Sequence, residues 1–582
     1  MILRDPKPLL DTGGTLVDWL DHWSIVRSEQ VFIAQREKNE WRCVTYRDVA
    51  ASARRLGAVL LELGASPTRP LLILAPNDID HVVAMLAGLY AGVPVASVAL
   101  AYASAGPSFD KLGAVFDALQ PAVIYAQGTS TTDALATMKQ CHEFRTLAST
   151  SSITPVRAES NALLAAAREG IGPDTVAKIM FTSGSTGAPK GVIHTHGMWS
   201  ANQQQIAQAW PFLSDEPPVL LDWLPWNHTF GGNHNLGLVL RHGGTLYVDD
   251  GAATPAAIER TVRNLREVAP TMYFNVPKGY DLLLPALKHD EAALRNLFAR
   301  SKLIMSAAAA LPAHVAAGLR DLARVTSGRE CPIVTGWGST ETAPGATVTP
   351  LDAAGDCGIG LPLPGVELKM IPVAANYELR VRGPNVTPGY WGRPDLRASI
   401  FDEEGFYRIG DIGRLIDPKR PEQGISFVGR MAEEFKLSTG TWVQVSPLRL
   451  RAIEEFAPLV QDAVVAGANR DFVSLLLFMN WQQCRVLLGE DAREASEKEI
   501  ASDPRIRRQL RRALGALARS GGSSTYPARC LVQLDAPDAA SGEITDKGYL
   551  NQAVALRRRA SDVERLYAAQ ADEDVMCLEK EA

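Results

Sequence analysis

The chain has 582 residues, of which 46% are hydrophobic and 21% are charged, and its formal net charge is −6. These ordinary globular values exclude disorder, collagen and coiled coils as the main organisation. The negative charge gives no global electrostatic reason to bind nucleic acid or anionic lipid. Seven scattered cysteines without a CxxC pair argue against a disulfide framework or a cysteine zinc site, and they favour a reducing cytoplasm. The N-terminal segment MILRDPKPLLDTGG has no long apolar run, so we expect no signal peptide.

The first half of the chain alternates between helical and strand-like segments. Residues 45–64 have the apolar spacing of an amphipathic helix, and short apolar runs at 71–76, 122–127 and 178–183 are typical of buried strands. Strands that alternate with helices predict an α/β fold with parallel-type sheets flanked by helices. We expect two such sheets in a large N-terminal domain.

One uncharged stretch, 82–109, is long enough to cross a bilayer. Gly88, Gly92 and Pro94 interrupt it, and the β-like run VASVAL follows the proline. These breakers favour a buried helix that leads into a buried strand over a membrane span.

The residue pattern changes near residue 358, and from there to about 392 Gly and Pro separate short β-like runs. This pattern predicts a small β-rich subdomain before a boundary near 427–435. The remaining residues predict a small α+β domain. Within it, 505–519 is basic and places Ile506, Leu510, Leu514 and Leu517 on one helical face. A solvated helix with a buried stripe and a polyanion-attracting surface both remain open.

The clearest chemical motif is the segment IMFTSGSTGAPKGVIHTH at 179–196. An apolar strand leads into a bend in which three glycines let the backbone approach a ligand closely. Successive N–H groups in such a bend bind anions. It is not a Walker A loop, because Lys190 is followed by Gly191 and not by Ser or Thr. We expect a polyphosphate to be bound by Thr182, Ser183, Gly184, Ser185, Thr186, Gly187 and Lys190.

This segment resembles the phosphate loop of the adenylate-forming superfamily, which includes acyl-CoA synthetases, peptide-synthetase adenylation domains and beetle luciferases. Several later segments resemble that family in the same order. STGTWV at 438–443 and GEITDKGYLNQ at 542–552 look most like bacterial feruloyl-CoA synthetases. The resemblance implies ATP, Mg²⁺ and coenzyme A as cofactors and an acyl-adenylate intermediate. It also implies domains at 1–428 and 433–582, joined by a hinge at 429–432 about which the small domain is mobile.

The resemblance also assigns residues around the nucleotide. In LPWNHTFGGNHN (224–235), His228 takes the position that closes the acyl pocket, although metal binding by His228 with His234, or by His194 with His196, is a competing interpretation. Further on, Glu341 takes the position of a magnesium ligand and Thr340 that of an α-phosphate contact. Two segments, LIMSAAAALP at 303–312 and TGWGSTETAP at 335–344, supply adenine-side residues that match the family: Ala308, Ala309, Trp337, Gly338 and Ser339.

The C-terminal part of the chain matches less completely. Asp411 fits the ribose-binding carboxylate, Arg430 the nucleotide-contacting arginine and Lys436 the lysine that follows. The hinge residue is Ala432 where Asp or Lys is usual, and Glu543 stands where the family carries Lys. Lys547, four residues on, is therefore the candidate catalytic lysine. A surface role for Lys547 is the alternative.

The sequence thus predicts an ATP-dependent carboxylic acid–CoA ligase whose substrate is an aromatic, feruloyl-like hydroxycinnamic acid. A ligase for another acid such as a fatty acid, an enzyme that loads a carrier protein, and a nucleotide-binding pseudoenzyme are the alternatives. The expected partners are a small carboxylic acid and CoA, without nucleic acid or integral membrane association, and a homodimer stays open. The expected acyl pocket is lined by His228, Asn233, Tyr273, Pro277, Met305, Ala307, Gly338 and Pro344.

Overall fold

A computed structural model describes residues 1–104, 109–150, 157–183, 189–353, 357–373, 375–492, 494–519, 524–538, 541–544 and 550–578. The chain divides into two compact units. The first contains Met1–Ile371, Arg380–Ile409 and Leu415–Ser426, and the second contains Pro372–Leu379, Gly410–Arg414 and Phe427–Ala582.

The strands, in chain order, are β1 (Ile2–Arg4), β2 (Val31–Glu37), β3 (Glu40–Thr45), β4 (Leu71–Leu74), β5 (Val95–Ser97), β6 (Val123–Ala126), β7 (Arg145–Leu147), β8 (Val176–Ser183), β9 (Pro189–Thr195), β10 (Val219–Asp222), β11 (Thr245–Val248), β12 (Met272–Asn275), β13 (Leu303–Ala307), β14 (Ile333–Gly338), β15 (Gly345–Val348), β16 (Leu361–Pro362), β17 (Glu367–Val373), β18 (Asn376–Arg382), β19 (Tyr407–Leu415), β20 (Ile425–Arg430), β21 (Phe435–Lys436), β22 (Trp442–Val443), β23 (Val460–Ala466), β24 (Val473–Met479), β25 (Pro527–Gln533) and β26 (Met576–Cys577).

The α-helices are α1 (Leu16–Val26), α2 (Tyr46–Glu62), α3 (Ile79–Tyr90), α4 (Ala101–Ser104), α5 (Asp110–Leu119), α6 (Ser130–Met138), α7 (Ala158–Glu169), α8 (His196–Ala209), α9 (Leu236–His242), α10 (Pro255–Leu265), α11 (Pro277–Leu287), α12 (Glu291–Ala299), α13 (Ala313–Ser327), α14 (Arg397–Ile400), α15 (Val445–Phe456), α16 (Trp481–Leu488), α17 (Glu497–Ser502), α18 (Pro504–Ala518), α19 (Gln552–Arg558) and α20 (Ala560–Tyr567). A π-helix, Phe230–Asn235, runs directly into α9.

Three sheets of the first unit have parallel cores. The six-stranded sheet has the order β7-β6-β4-β5-β8-β9, and only its last pair is antiparallel. A five-stranded sheet, β12-β13-β14-β15-β16, and a four-stranded sheet, β10-β11-β2-β3, each begin with two parallel pairs. The predicted α/β class is therefore confirmed, with three parallel-type sheets where we expected two. The third sheet joins β10 and β11 to β2 and β3, which lie far earlier in the chain, so local sequence patterns do not reveal it.

The uncharged stretch after residue 82 forms the buried helix and strand that its breakers predict. Helix α3 begins at the Asp78 cap, whose carboxylate accepts from the His81 N–H, and it ends at Tyr90. Strand β5 follows and packs between β4 and β8. In the described ranges, no helix combines the length and the hydropathy that crossing a bilayer requires.

The second unit contains the mixed sheet β23-β24-β25-β26, covered by α15 and α18. Helix α18 buries Ile506, Leu510, Leu514 and Leu517, as the spacing predicts, and its arginines lie on other faces.

The β-rich runs near 358–392 form β16, β17 and β18. Strands β1, β17, β18, β19 and β20 form a further five-stranded sheet in that order.

Candidate functional site

Strands β8 and β9 carry the two ends of the predicted phosphate-binding bend. They pair antiparallel, so Thr182 lies opposite Lys190 and Ser183 opposite Pro189. Gly184, Ser185, Thr186 and Gly187 lie outside the described residues. The described ends place Thr182 and Lys190 side by side at one edge of the six-stranded sheet.

The predicted adenine-side residues lie at the carboxyl ends of two neighbouring strands. In the parallel pair β13 and β14, Ala307 at the end of β13 lies opposite Gly336, and β14 continues to Gly338. Ala308 and Ala309 are exposed just beyond β13, and Ala308 has a φ of 77°, in the left-handed region where side chains are disfavoured. Crevices at the carboxyl ends of parallel strands are the usual ligand sites of α/β sheets.

A short 3₁₀ turn at 340–342 follows β14 and carries Thr340 and Glu341. The Ser339 hydroxyl accepts from the Glu341 N–H at 3.2 Å, which fixes the start of the turn. Gly338 is required here, because a Cβ at that position would lie 1.9 Å from the Pro344 carbonyl oxygen. Trp337 and Glu341 are each 8% exposed, so both side chains are largely enclosed.

The Glu341 carboxylate has a tyrosine partner that the sequence did not reveal. The Tyr390 hydroxyl donates to Glu341 Oε1 at 2.9 Å, and the Tyr407 hydroxyl interacts with both groups. The Lys190 ammonium lies 5.7 Å from the centre of the Tyr390 ring. Burial and the Glu341 charge raise the pKa of both tyrosine hydroxyls, so they remain donors at neutral pH.

Backbone bonds hold these groups together. The Trp391 N–H donates to the Gly191 carbonyl at 2.7 Å, which joins the 387–391 segment to β9. The Thr387 N–H donates to the Glu341 carbonyl at 2.8 Å. The phosphate-loop strand, the Glu341 turn and Tyr390 therefore form one connected structure. Tyr390 lies outside the motifs identified in the sequence, and only its position four residues before Asp411 could have drawn attention to Tyr407.

His228 is half-buried at the start of the helical segment that contains the π-helix, and its carbonyl accepts from the Gly232 N–H at 2.8 Å. Asn233 is fully buried inside that segment. Its side-chain oxygen accepts from Lys178 Nζ at 3.1 Å, and its Nδ2 donates to His194 Nδ1 at 2.9 Å. The structure thus places Asn233 as an internal hydrogen-bonding partner.

The predicted pocket residues divide between two faces of the β12-β13-β14 sheet. Met305 packs with Phe274 on one face, and Tyr273 packs with Ile304 on the other. This corrects the expectation that Tyr273 and Met305 line one pocket, because adjacent strand residues point to opposite faces. Ala307 packs on the Met305 face, and Pro277 is buried at the first turn of α11.

Three rings on the Met305 face were not predicted as pocket residues. Phe230 lies 5.6 Å from His234 and 6.2 Å from Phe274, and His234 lies 5.1 Å from Phe274, between ring centres. We call Phe230, His234 and Phe274 the aromatic wall. Burial lowers the pKa of His234 to about 4, so its ring is neutral at pH 7. Phe230 and His234 stand four residues apart in the quoted LPWNHTFGGNHN segment, which was the available signal.

In the second unit, Asp411 and Arg430 come together. Asp411 is 4% exposed, and its Oδ1 lies 3.6 Å from Arg430 Nε. The Met431 N–H donates to the Gly410 carbonyl at 2.9 Å, which fixes the backbone beside both residues. Lys436 is exposed, and its ammonium lies 5.0 Å from the Trp442 ring centre.

Lys547 lies outside the described residues, but the residue at the usual lysine position is described. Glu543 is 1% exposed and forms an ion pair with Arg559 at 2.8 Å. Its carbonyl accepts from the Asn551 N–H at 2.7 Å, and Ile544 bridges to Leu550. Glu543 is therefore a structural residue at the base of the segment that carries Lys547.

The donor set at Glu341 fits a magnesium ion that takes most of its ligands from phosphate and water. The single carboxylate of Glu341 offers hard oxygen ligands of the kind Mg²⁺ prefers. Within the described ranges, no group of three His, Cys, Asp or Glu side chains is arranged to hold a metal. His194 and His234 each hydrogen-bond an asparagine in the interior.

The chain is also similar to known proteins. The family model described as AMP-binding enzyme matches residues 21–391. Feruloyl-CoA synthase of Amycolatopsis sp. is 31% identical over 260 residues, which cover 42% of this chain and 48% of that protein. Probable CoA ligase CCL8 of Humulus lupulus is 27% identical over 320 residues, covering 51% and 49%. The chain therefore spans about half the length of these curated relatives.

The solved structures support the same fold. The structure of McyG A-PCP complexed with phenylalanyl-adenylate has a TM-score of 0.73 at 17% identity, and the match covers 97% of this chain and 85% of that one. At this identity, the similarity concerns the fold.

Proposed function

Because this chain belongs to the AMP-binding enzyme family, we propose that it is an ATP-dependent carboxylic acid–CoA ligase that works through an acyl-adenylate. The observation that carries the proposal is the convergence of Lys190, Glu341 and Tyr390 at the phosphate-binding edge. In the first step, the acid's carboxylate oxygen attacks the α-phosphorus of ATP and pyrophosphate leaves. In the second step, the CoA thiol attacks the acyl carbon and AMP leaves.

The first step brings one anion to another. Two unit charges about 4 Å apart repel by roughly 4 kcal/mol at an effective dielectric constant near 20. Magnesium bound with ATP supplies positive charge at the phosphates. Lys190 adds a second positive charge, Glu341 is the residue that would hold the metal, and Thr340 would contact the α-phosphate. Such a site needs no protein nucleophile, since positioning and charge stabilisation account for the rate.

We assign the remaining nucleotide contacts by the same reasoning. Trp337 and the small residues Ala308 and Ala309 would flank the adenine, because only small side chains let a flat ring approach the backbone. Asp411 would accept hydrogen bonds from both ribose hydroxyls, since a carboxylate has two acceptor oxygens. Arg430, Lys436 and Lys547 of the C-terminal part would supply positive charge to the phosphates and the adenylate.

For the acid, we propose an aromatic, feruloyl-like substrate. The aromatic wall supports this, because its three clustered rings offer aromatic surface on which the ring of such an acid would pack favourably. The similarity to the feruloyl-CoA synthase of Amycolatopsis sp. supports the same substrate class. A single methylene changes binding in such a pocket by only about 1–3 kcal/mol, so ligation of another acid is the second candidate.

A panel of acids incubated with ATP, with and without CoA, tests the proposal, with products identified by mass spectrometry. We expect thioesters from hydroxycinnamic and benzoic acids and little product from fatty acids. If thioesters form mainly from fatty acids, the substrate is a fatty acid and the aromatic assignment is wrong. An adenylate that does not react with CoA would indicate a carrier protein as the acceptor, and ATP binding without turnover would indicate a pseudoenzyme.

A further inference from the structure

Lys178 is a buried cation to which the proposed chemistry gives no role. It lies in β8, four residues before Thr182, and its side chain is fully buried. The described residues place no carboxylate within ion-pairing distance of its ammonium. Burial lowers its pKa to about 7. Removing a buried amine of this kind from water costs several kcal/mol, so an apolar side chain at this position would make the folded protein more stable.

What Lys178 provides is hydrogen-bond donation to the π-helix. Its Nζ donates to the Gly232 carbonyl at 3.2 Å and to the Asn233 side-chain oxygen at 3.1 Å. The ammonium also lies 5.0 Å from the centre of the Trp199 ring, which contributes a cation–π contact.

Two side chains of α8 donate to the next carbonyls of the same segment. Trp199 Nε1 donates to the Asn233 carbonyl at 2.8 Å. Gln203 Nε2 donates to the Asn233 and His234 carbonyls at 3.1 and 3.3 Å. Three successive carbonyls, from Gly232 to His234, thus receive buried side-chain donors. Gly237 leaves room for them, because a Cβ there would lie 2.6 Å from both donor nitrogens.

This arrangement explains how an uncommon helix persists. A π-helix is rare, is usually a single turn, and occurs frequently at functional sites. Buried carbonyls that lose their regular partners must find others. The turn that Lys178, Trp199 and Gln203 stabilise begins with Phe230 and contains His234, two members of the aromatic wall.

We propose that Lys178 is a positioning residue that, with Trp199 and Gln203, holds the π-helix in the shape that presents the aromatic wall to the acid. This inference rests on the proposed function and adds a determinant of acid specificity to it. Lys178 acts through the π-helix and does not touch the acid. Its loss therefore weakens binding of the acid and leaves the nucleotide contacts in place.

Lys178→Met and Trp199→Phe test the proposal, because each removes donors to the π-helix and keeps an apolar side chain of similar shape. Pyrophosphate release is measured with ferulic acid and ATP varied separately. We expect the KM for the acid to rise at least tenfold in Lys178→Met and at least threefold in Trp199→Phe, while the KM for ATP changes less than twofold. The preference for ferulic acid over a straight-chain acid should fall as well.

Tyr46→Phe is the matched control. The Tyr46 hydroxyl is equally buried and donates to the carbonyls of Val239 and Gly244, in α9 and beyond its end, outside the π-helix. This variant should melt at a lower temperature than the wild type with both KM values unchanged.

Three outcomes separate the possibilities. If the KM values for acid and ATP rise together in folded variants, or if both variants behave like Tyr46→Phe, the proposal is overturned. If Lys178→Met does not fold, Trp199→Phe decides by the same criteria. If the wild-type enzyme adenylates no acid, the proposed function itself fails, whatever the variants do.

Discussion

The hydroxyl of Tyr390 donates to Oε1 of Glu341 at 2.9 Å. The ring that carries this hydroxyl also faces the Lys190 ammonium, 5.7 Å from the ring centre. One tyrosine therefore contacts both charged side chains at the proposed phosphate and magnesium positions. This relationship suggests that Tyr390 orients Glu341.

Tyr390→Phe should raise the magnesium concentration needed for half-maximal adenylation. A hydrogen bond to a charged group contributes about 1.5–3 kcal/mol, so we expect a shift of roughly tenfold. Glu341→Ala should shift the titration further, because it removes the ligand itself. Magnesium-dependent ATP binding, followed by calorimetry, gives a readout that does not depend on turnover. If neither variant changes either titration, Glu341 is not at the metal site.

Lys547→Ala should abolish pyrophosphate release from acid and ATP, because its proposed role is to stabilise charge in the adenylation step. Thioester formation from premade acyl-adenylate and CoA should remain largely intact. Rapid-quench measurement of the two half-reactions separates these effects. Lys436→Ala provides a comparison within the same part of the chain. Equal loss of both half-reactions, or of neither, would refute the assignment of Lys547.

Asp411→Asn should weaken discrimination between ATP and its 2′-deoxy analogue, because the carboxylate is proposed to accept the ribose hydroxyls. The wild type should show the lower KM for ATP, and the two KM values should converge in the variant. Asp411 is buried, and its Oδ1 lies 3.6 Å from Arg430 Nε, so the position of this carboxylate as a hydrogen-bond acceptor is fixed. Equal discrimination in variant and wild type would indicate that another group reads the ribose.

Stability should rise with pH between about pH 4 and 6.5. Burial lowers the pKa of five histidines to about 3 or 4, so the unfolded chain binds more protons than the folded protein in this range. Each group contributes up to about 1.4 kcal/mol per pH unit. Asp222, Asp78 and Glu434 act in the opposite direction, because burial raises their pKa values to about 6 or 7, and burial raises the pKa of Asp249 as well, but these carboxyl groups are fewer than the histidines. The histidines are His81, His194, His196, His234 and His242.

Urea unfolding at several pH values checks this slope. Asp222→Asn should make the rise steeper, and His81→Gln should make it shallower. A midpoint that stays constant or falls from pH 4 to 6.5 would contradict the neutral burial of these histidines.

Local patterns in the sequence were sufficient for several features of the fold. The apolar stripe of α18 and the breakers around α3 follow from residues that are close in the chain. The phosphate-binding bend stays a prediction, made from the chemistry of one continuous segment. The residues of this segment that follow Ser183 and precede Pro189 are outside the described part of the chain.

Contacts between distant segments could not be read in this way. Tyr390 lies 49 residues from Glu341, and Lys178 lies 55 residues from Asn233. The assignment of Tyr273 to the pocket of Met305 failed because strand register decides which face a side chain occupies, and register depends on partner strands.

The sequence by itself determined the α/β class, the buried helices and strands and the order of the chemical segments, since these depend on periodicity and on residues near one another. Only the tertiary structure decided which side chains meet: the tyrosine on Glu341, the aromatic wall, and the donors on the π-helix. The physical reason is that a hydrogen bond acts over about 3 Å, whereas the residues it joins are brought together only when sheets and helices pack.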